Sequence, residues 1–159
     1  MTTMSLPAAL IREHRDIDAG IEAFVADLDG GVADPQPLLV AFEALRRHIY
    51  LEETFLFPPV RQAGLMMPIM VMLREHGTLW QLMDALTARV AGDGAADAGA
   101  ALRSVCEELL ARLAQHNVKE EPVVYPHAEV DLDDDAAAEL SEFLRTGSTP
   151  DGWICEAAR

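Results

Sequence analysis

Aromatic residues are scarce in this chain, at 6% of its 159 residues, and runs of β-branched residues with alternating polarity are missing. Half-buried strands are built from such runs, so their absence beside abundant Ala, Leu and Val points to an all-α fold. Cations are short too: 12 Lys and Arg stand against 27 Asp and Glu, for a formal charge of −15. A surface of that sign repels phosphate backbones and anionic headgroups, so no nucleic acid and no membrane partner is expected. Cysteine is limited to Cys106 and Cys155, without CxxC spacing. In a chain with no export signal two such thiols are expected to stay reduced, without a disulfide. The longest apolar run, GLMMPIMVML at 64–73, is too short to span a bilayer, and the charges in MTTMSLPAALIREHRD fall where a secretion signal needs its apolar segment. A cytoplasmic protein, monomer or homodimer, is the expectation.

The helical pattern divides the chain into four long elements. The first runs from about Leu6 to Leu28, with Ser5 as N-cap and Gly30-Gly31 as stop, and its apolar stripe is Leu10, Ile17, Ile21, Phe24 and Leu28, with His14 in the intervening core position. A second, from a cap at Asp34-Pro35 to the Pro58-Pro59 pair, carries Leu38, Ala41, Leu45, His48, Glu52 and Phe55 on one face. The third has Ile69, Met72, His76, Leu79, Met83 and Val90, and stops in the glycine-rich AGDGAADAG. The fourth has Leu102, Val105, Leu109, Leu113, His116, Glu120 and Val123, with a kink expected at Pro122. A short fifth helix, about 133–144, follows an acidic cap-like run, and residues 146–159 read as a tail. The division is a bundle over 1–130 with a short helix and tail over 131–159 packed on it.

The chain also repeats itself. Arg12-Glu13-His14 recurs as Arg74-Glu75-His76 at an offset of 62, and HIYLEETFLFP at 48–58 recurs in spacing as HNVKEEPVVYP at 116–126, at an offset of 68. Two helical hairpins, each with a His followed by His-x-x-x-Glu-Glu, imply an up-down-up-down four-helix bundle with a pseudo-two-fold axis. Residues i and i+4 share a helix face, so His48 with Glu52, and His116 with Glu120, each present a nitrogen and a carboxylate side by side. In antiparallel hairpins His14 reaches the height of His48 and Glu52, and His76 that of His116 and Glu120, near the end that carries Pro58 and Pro126.

All six of these residues fall on apolar stripes. A carboxylate taken out of water without a partner costs several kcal/mol, so two glutamates there require a compensating cation, and a metal is the economical one. Four imidazoles and two carboxylates form too large and too hard a set for one structural zinc. Two metals bridged by Glu52 and Glu120 fit better, each with two histidines. Iron is preferred on ligand type, although manganese or zinc could use the same cage.

These elements resemble the hemerythrin family, specifically its bacterial HHE cation-binding domains, over about residues 6–130. The resemblance rests on His14, on His48-x-x-x-Glu52-Glu53 with Phe57-Pro58 after it, on His76, and on His116-x-x-x-Glu120-Glu121 with Tyr125-Pro126 after it. It implies two iron ions with an oxo or hydroxo bridge, and an open position for dioxygen, peroxide or nitric oxide. The alternative is an iron- or redox-sensing or storage module read by a protein partner, and whether the chain is an enzyme stays open. Ferritin-like di-iron bundles use Glu-x-x-His instead, which this chain lacks. Oxygen-carrying hemerythrins have a second histidine one turn after the third-helix ligand; here that place is Trp80, which argues against reversible oxygen carriage. Asp18, four residues after His14, is a supporting group or an extra oxygen ligand.

Glu53 and Glu121 point about 100° away from their neighbours and read as solvent-facing or supporting groups, so that losing Glu53 should matter little. Met66, Met67, Met70 and Met72 read as fillers of core gaps. Cys106 reads as a small buried hydrophobe, His127 as a surface or capping residue, and DLDDD at 131–135 as helix capping, since it lacks EF-hand spacing.

Overall fold

Ser5 starts the first helix, its Oγ accepting the Ala8 N–H at 3.2 Å, with Pro7 in the first turn where its missing N–H costs nothing. In the computed structural model, which describes residues 4–31, 34–91 and 99–159, this helix is α1, Leu6–Asp29. Asp34 Oδ1 accepts the Gln36 N–H at 3.1 Å, and α2 spans Gln36–Leu51, one residue later than the sequence suggests. Helix α4 spans Met66–Val90 and α5 spans Gly99–Val123. Most of the glycine-rich stretch expected to join them, residues 92–98, lies outside the described residues.

Helix α1 packs on α2 and α5, and α4 packs on α5 and α2, which closes the four-helix bundle. Among the described residues no element is a strand, and no helix is long and apolar enough to cross a membrane.

Two departures from the expected helix ends matter for the site. The Pro58-Pro59 pair does not end the second helix. After α2 the chain enters a π-helical turn, Glu52–Leu56, and continues as α3, Phe57–Gln62. The prolines then sit in the first turn of α3, where an N–H is not needed, and the wider turn lets the Glu52 carbonyl accept from the Phe57 N–H five residues on. The repeat does the same: the Glu120 carbonyl accepts from the Val124 N–H at 2.8 Å and from the Tyr125 N–H at 3.2 Å, while Pro122 stays inside α5. The fourth stripe therefore ends at buried Val124 and Tyr125, and Val123 is exposed.

The apolar interior forms two clusters. One contains Ile17, Ile21, Phe24, Leu45, Met83 and Leu109; the other contains Leu10, Leu56, Phe57, Ile69, Val124 and Tyr125. Along each helix the histidines and glutamates of the repeat fall where one cluster gives way to the other. Met72 belongs to the second cluster, but Met66, Met67 and Met70 are exposed, contrary to the expectation that they fill the core. The inward stripe of α4 runs through Ile69, Met72, Leu73 and His76, and helical periodicity turns those three methionines off it.

After α6, His127–Val130, Asp133 caps α7, Asp134–Thr146, by accepting the Ala136 N–H at 2.8 Å. His127 starts α6 and lies 2.6 Å from Asp131. Arg47 of α2 holds the other end of α7, donating to the carbonyls of Phe143, Leu144 and Gly147. The tail then crosses to α4, where Trp153 meets Trp80 edge-on at 5.5 Å and the 3-10 turn Glu156–Ala158 packs against the helix. Cys155 and Cys106 are both buried and free.

Gly77, next to His76, permits that approach. A Cβ placed there would lie 2.7 Å from the Ala157 Cβ and 3.2 Å from its backbone, so the tail has to move. Gly77→Ala is expected to destabilise the fold by about 1–3 kcal/mol, as overpacking does, less any gain in helix propensity. Urea unfolding monitored by Trp153 and Trp80 fluorescence checks this, and an unchanged midpoint would show that the tail is not seated at Gly77.

Candidate metal centre

All six residues singled out in the sequence are buried, and Glu52 and Glu120 are fully so at 0% exposure. They fall into two groups that could hold a metal: His14, His48, Glu52 and Glu120, and Glu52, His76, His116 and Glu120. Within each group one donor atom from every residue lies within 4.8 Å of the others. Both glutamates belong to both groups, one oxygen to each. Glu52 Oε2 is 3.5 Å from His48 Nε2 and Oε1 is 3.2 Å from His76 Nε2. Glu120 Oε1 is 3.1 Å from His14 Nε2 and Oε2 is 3.4 Å from His116 Nε2.

A second ring of glutamates holds the imidazoles. The Nδ1 of His14 lies 2.8 Å from Glu121, that of His48 2.9 Å from Glu13, that of His76 2.7 Å from Glu53, and that of His116 2.9 Å from Glu75. Each Nδ1–H can donate outward, which leaves Nε2 facing the centre as a ligand. The ring obeys the repeat: the glutamate before the first histidine of each hairpin serves the second histidine of that hairpin, and the one after each bridging glutamate serves the first histidine of the other hairpin. Arg47 and Lys119 in turn pair with Glu13 and Glu75.

Of the two readings of Glu53, supporting group or solvent-facing residue, the structure shows the first. It is only 6% exposed, against 22%, 30% and 32% for Glu13, Glu75 and Glu121. The tail covers it, and the Glu156 N–H donates to its second oxygen at 3.0 Å. Its loss should matter, because it orients His76. Glu13→Ala, Glu53→Ala and Glu75→Ala are each expected to weaken metal binding roughly 10- to 100-fold without removing a ligand. Competition with a chromophoric chelator measures this; unaltered affinity in all three would mean that the Nδ1 contacts do not set the imidazoles.

The metal-free chain holds these donors through charge. Burial opposes a charged His48 ring, but the Glu52 charge and the hydrogen bonds to Glu13 and Glu52 outweigh it and push its pKa up to about 10. Burial likewise opposes, and Glu120 and Glu75 outweigh, at His116, which also reaches about 10. His76 shifts up through Glu52 and Glu53 against the same opposition. Glu120, despite its burial, is held well below the usual range by His116 and His14.

Folded pKa values above the unfolded value of 6.5 mean stabilisation that is full below pH 6.5 and is lost as pH rises through about 10. Metal binding needs the neutral rings, so affinity moves the opposite way. Chelated protein is therefore expected to melt at falling temperature across this interval while metal affinity increases. Melting curves of the chelated chain at several pH values check it, and a melting temperature that rises toward pH 10 would contradict it.

Besides Glu13, Glu75 and Asn117, the sequence pattern leaves one residue at the heart of the site unassigned, Tyr125. Its Oη lies 2.7 Å from His14 Nε2, 3.0 Å from His48 Nε2, and 2.9 Å from both Glu52 Oε2 and Glu120 Oε1. The signal was available in the repeat, as the residue five places after each bridging glutamate: Phe57 in one half, Tyr125 in the other. Phe57 stacks on His76 with ring centroids 5.4 Å apart.

A small cavity beside the donors is lined by Ile17, Leu45, Ile49, Leu79 and Leu113, with Asp18 and Asn117 as added polar groups. Burial raises the Asp18 pKa, the nearby Glu22 and Glu121 charges add to this, and His14 opposes it. Trp80 is buried but turned toward Trp153 and Arg46, and Leu79 faces the cavity in its place.

Residues 5–128, well over half of the chain, match the family model described as the hemerythrin HHE cation-binding domain. The chain belongs to the hemerythrin HHE cation-binding family. Comparison with curated proteins and with solved structures found no match. The donor chemistry fits the cation of a hemerythrin-like domain: Glu52 Oε1 and Glu120 Oε2 are buried without a hydrogen-bond partner, a costly arrangement that a cation relieves.

Proposed function

We propose that this chain is a non-haem di-iron protein that reacts with dioxygen, peroxide or nitric oxide. His14 and His48 would hold one iron, His76 and His116 the other, and Glu52 and Glu120 would bridge them. The observation that carries this reading is the sharing of two fully buried glutamates between two groups of donors, each carboxylate offering one oxygen to either side. A single ion would leave half of those donors unsatisfied.

The iron pair, when bound, supplies open coordination positions and the electrons for reducing an oxidant. The chain supplies the surroundings. The aliphatic cavity wall excludes bulk water, which strengthens every charge interaction inside. Asp18, whose carboxyl keeps its proton to higher pH than an exposed aspartate, and Asn117, whose Oδ1 is buried without a partner, offer polar contacts to a small bound molecule. Helix α4 contributes His76 as its nitrogen donor to the groups, with Trp80 packed away from them. Fewer nitrogen donors leave more room for exogenous ligands and favour reaction over reversible carriage.

Rapid mixing of the diferrous protein with oxygen, peroxide and nitric oxide in parallel tests this. Fast oxidation to the diferric form, with repeated turnover of at least one oxidant, is expected. A long-lived oxygen adduct reversed by degassing would establish a carrier, and one slow oxidation without turnover would favour a sensor.

A further inference from the structure

The two halves of the centre are related by the repeat, yet one of them carries a hydroxyl among its donors that the other lacks. Around the His14 and His48 side, four donor atoms converge on the Tyr125 hydroxyl at 2.7–3.0 Å. Around the His76 and His116 side the corresponding ring is Phe57, which has no such atom, and it is on this side that Glu52 Oε1 and Glu120 Oε2 lack a hydrogen-bond partner. The rings are placed alike: Tyr125 and His14 have centroids 5.3 Å apart at 32°, Phe57 and His76 5.4 Å apart at 19°. The difference is therefore chemical, with a similar placement of the rings.

A hydroxyl has one proton to donate, so Tyr125 cannot satisfy both carboxylates at once. It sits where donors converge, and no metal can enter that half without the hydroxyl becoming a ligand or leaving. Leaving is obstructed, since Tyr125 is fully buried and belongs to the second apolar cluster, with its backbone tied to Glu120. We propose that the Tyr125 oxygen is a ligand of the metal held by His14 and His48, and that this metal binds after the one held by His76 and His116. This rests on the two-metal reading above. On binding, a metal–oxygen bond forms and the phenolic proton leaves to solvent. The hydrogen bonds that Tyr125 makes with the donors are given up only in this half, so the second metal binds more weakly, on the order of tenfold, the equivalent of one to two net hydrogen bonds.

The test titrates ferrous iron without oxygen into the metal-free full chain, then oxidises the loaded protein in air. Wild type is expected to take up two irons in two distinguishable steps and, once ferric, to show a visible phenolate-to-iron charge-transfer band with resonance-enhanced ring vibrations. Tyr125→Phe copies the ring already used at Phe57; it should still take up two irons, in steps drawn closer together, and lack the band. Tyr50→Phe should keep it, because Tyr50 packs against Phe55, Phe143 and Trp153 away from the donors. Phe57→Tyr should add a second phenolate signal. A wild-type diferric protein without the band, or a band that survives Tyr125→Phe, would overturn the proposal and leave the two-metal reading intact. Two irons in Tyr125→Phe but one in wild type would also overturn it, by making Tyr125 a plug. A chain that takes up no iron in either form would defeat the two-metal reading itself.

Discussion

Replacing Glu52 or Glu120 with alanine should remove both metals at once. Each carboxylate gives one oxygen to either group of donors, so its loss strips a ligand from both positions. The affinity loss at both should exceed the roughly 10- to 100-fold expected for a supporting glutamate. Removing a histidine touches one position, and His14→Ala or His76→Ala should spare the other metal more often. The metal-free variants should also be weaker folds. Glu52→Ala takes from His48 and His76, 2% and 1% exposed, the fully buried one of their carboxylate partners and leaves Glu13 and Glu53 at their Nδ1 atoms; breaking a buried pair costs about 3–5 kcal/mol. Glu52→Gln keeps the volume and remains measurable if the alanine variant does not fold. Iron content per chain after reconstitution reads the result; a variant that kept one tightly bound metal would show that the glutamate does not bridge.

Chelation is the second large effect. A ligand present at about 1,000 times its dissociation constant stabilises the folded state by about 4 kcal/mol, and a chain of this size shifts its melting temperature by about 2–4 °C per kcal/mol. Stripping the metals should thus lower the melting temperature by roughly 10 °C, and restoring iron should recover it. The fold itself should survive, because the two apolar clusters on either side of the centre do not depend on metal. Calorimetry before and after chelation measures the shift, and coincident curves would mean a site that contributes nothing to stability.

The bundle and its six central donors were legible because burial writes itself into helical spacing. His14 fills a gap in the α1 stripe, and His48, Glu52, His116 and Glu120 continue theirs, so each announces an inward polar group from local sequence alone. Glu13 and Glu75 carry no such mark. A glutamate before a histidine is ordinary in an acidic chain, and its partner lies on a neighbouring helix, 35 residues away for Glu13 and 41 for Glu75. For Glu53 the supporting reading holds and the solvent-facing one does not: helical rotation turns it off the stripe, where it meets His76, and the docked tail adds the Glu156 N–H to its other oxygen.

The π turn depends on tertiary context as well. Two prolines can stop a helix or widen it, and here α3 continues to place Phe57 and Val60 in the second apolar cluster. Tyr125 was visible as half of a Phe/Tyr position in the repeat. Its hydroxyl acquires meaning only once His14 and His48, more than 70 residues earlier, close around it.

The central claim is that one chain holds two metals between shared glutamates, and the most direct measurement is anomalous diffraction at the iron edge from crystals of the iron-loaded protein. Two iron peaks are expected, one beside His14 and His48 and the other beside His76 and His116, with both Glu52 and Glu120 reaching each. A single peak, or two peaks that share neither glutamate, would contradict the account.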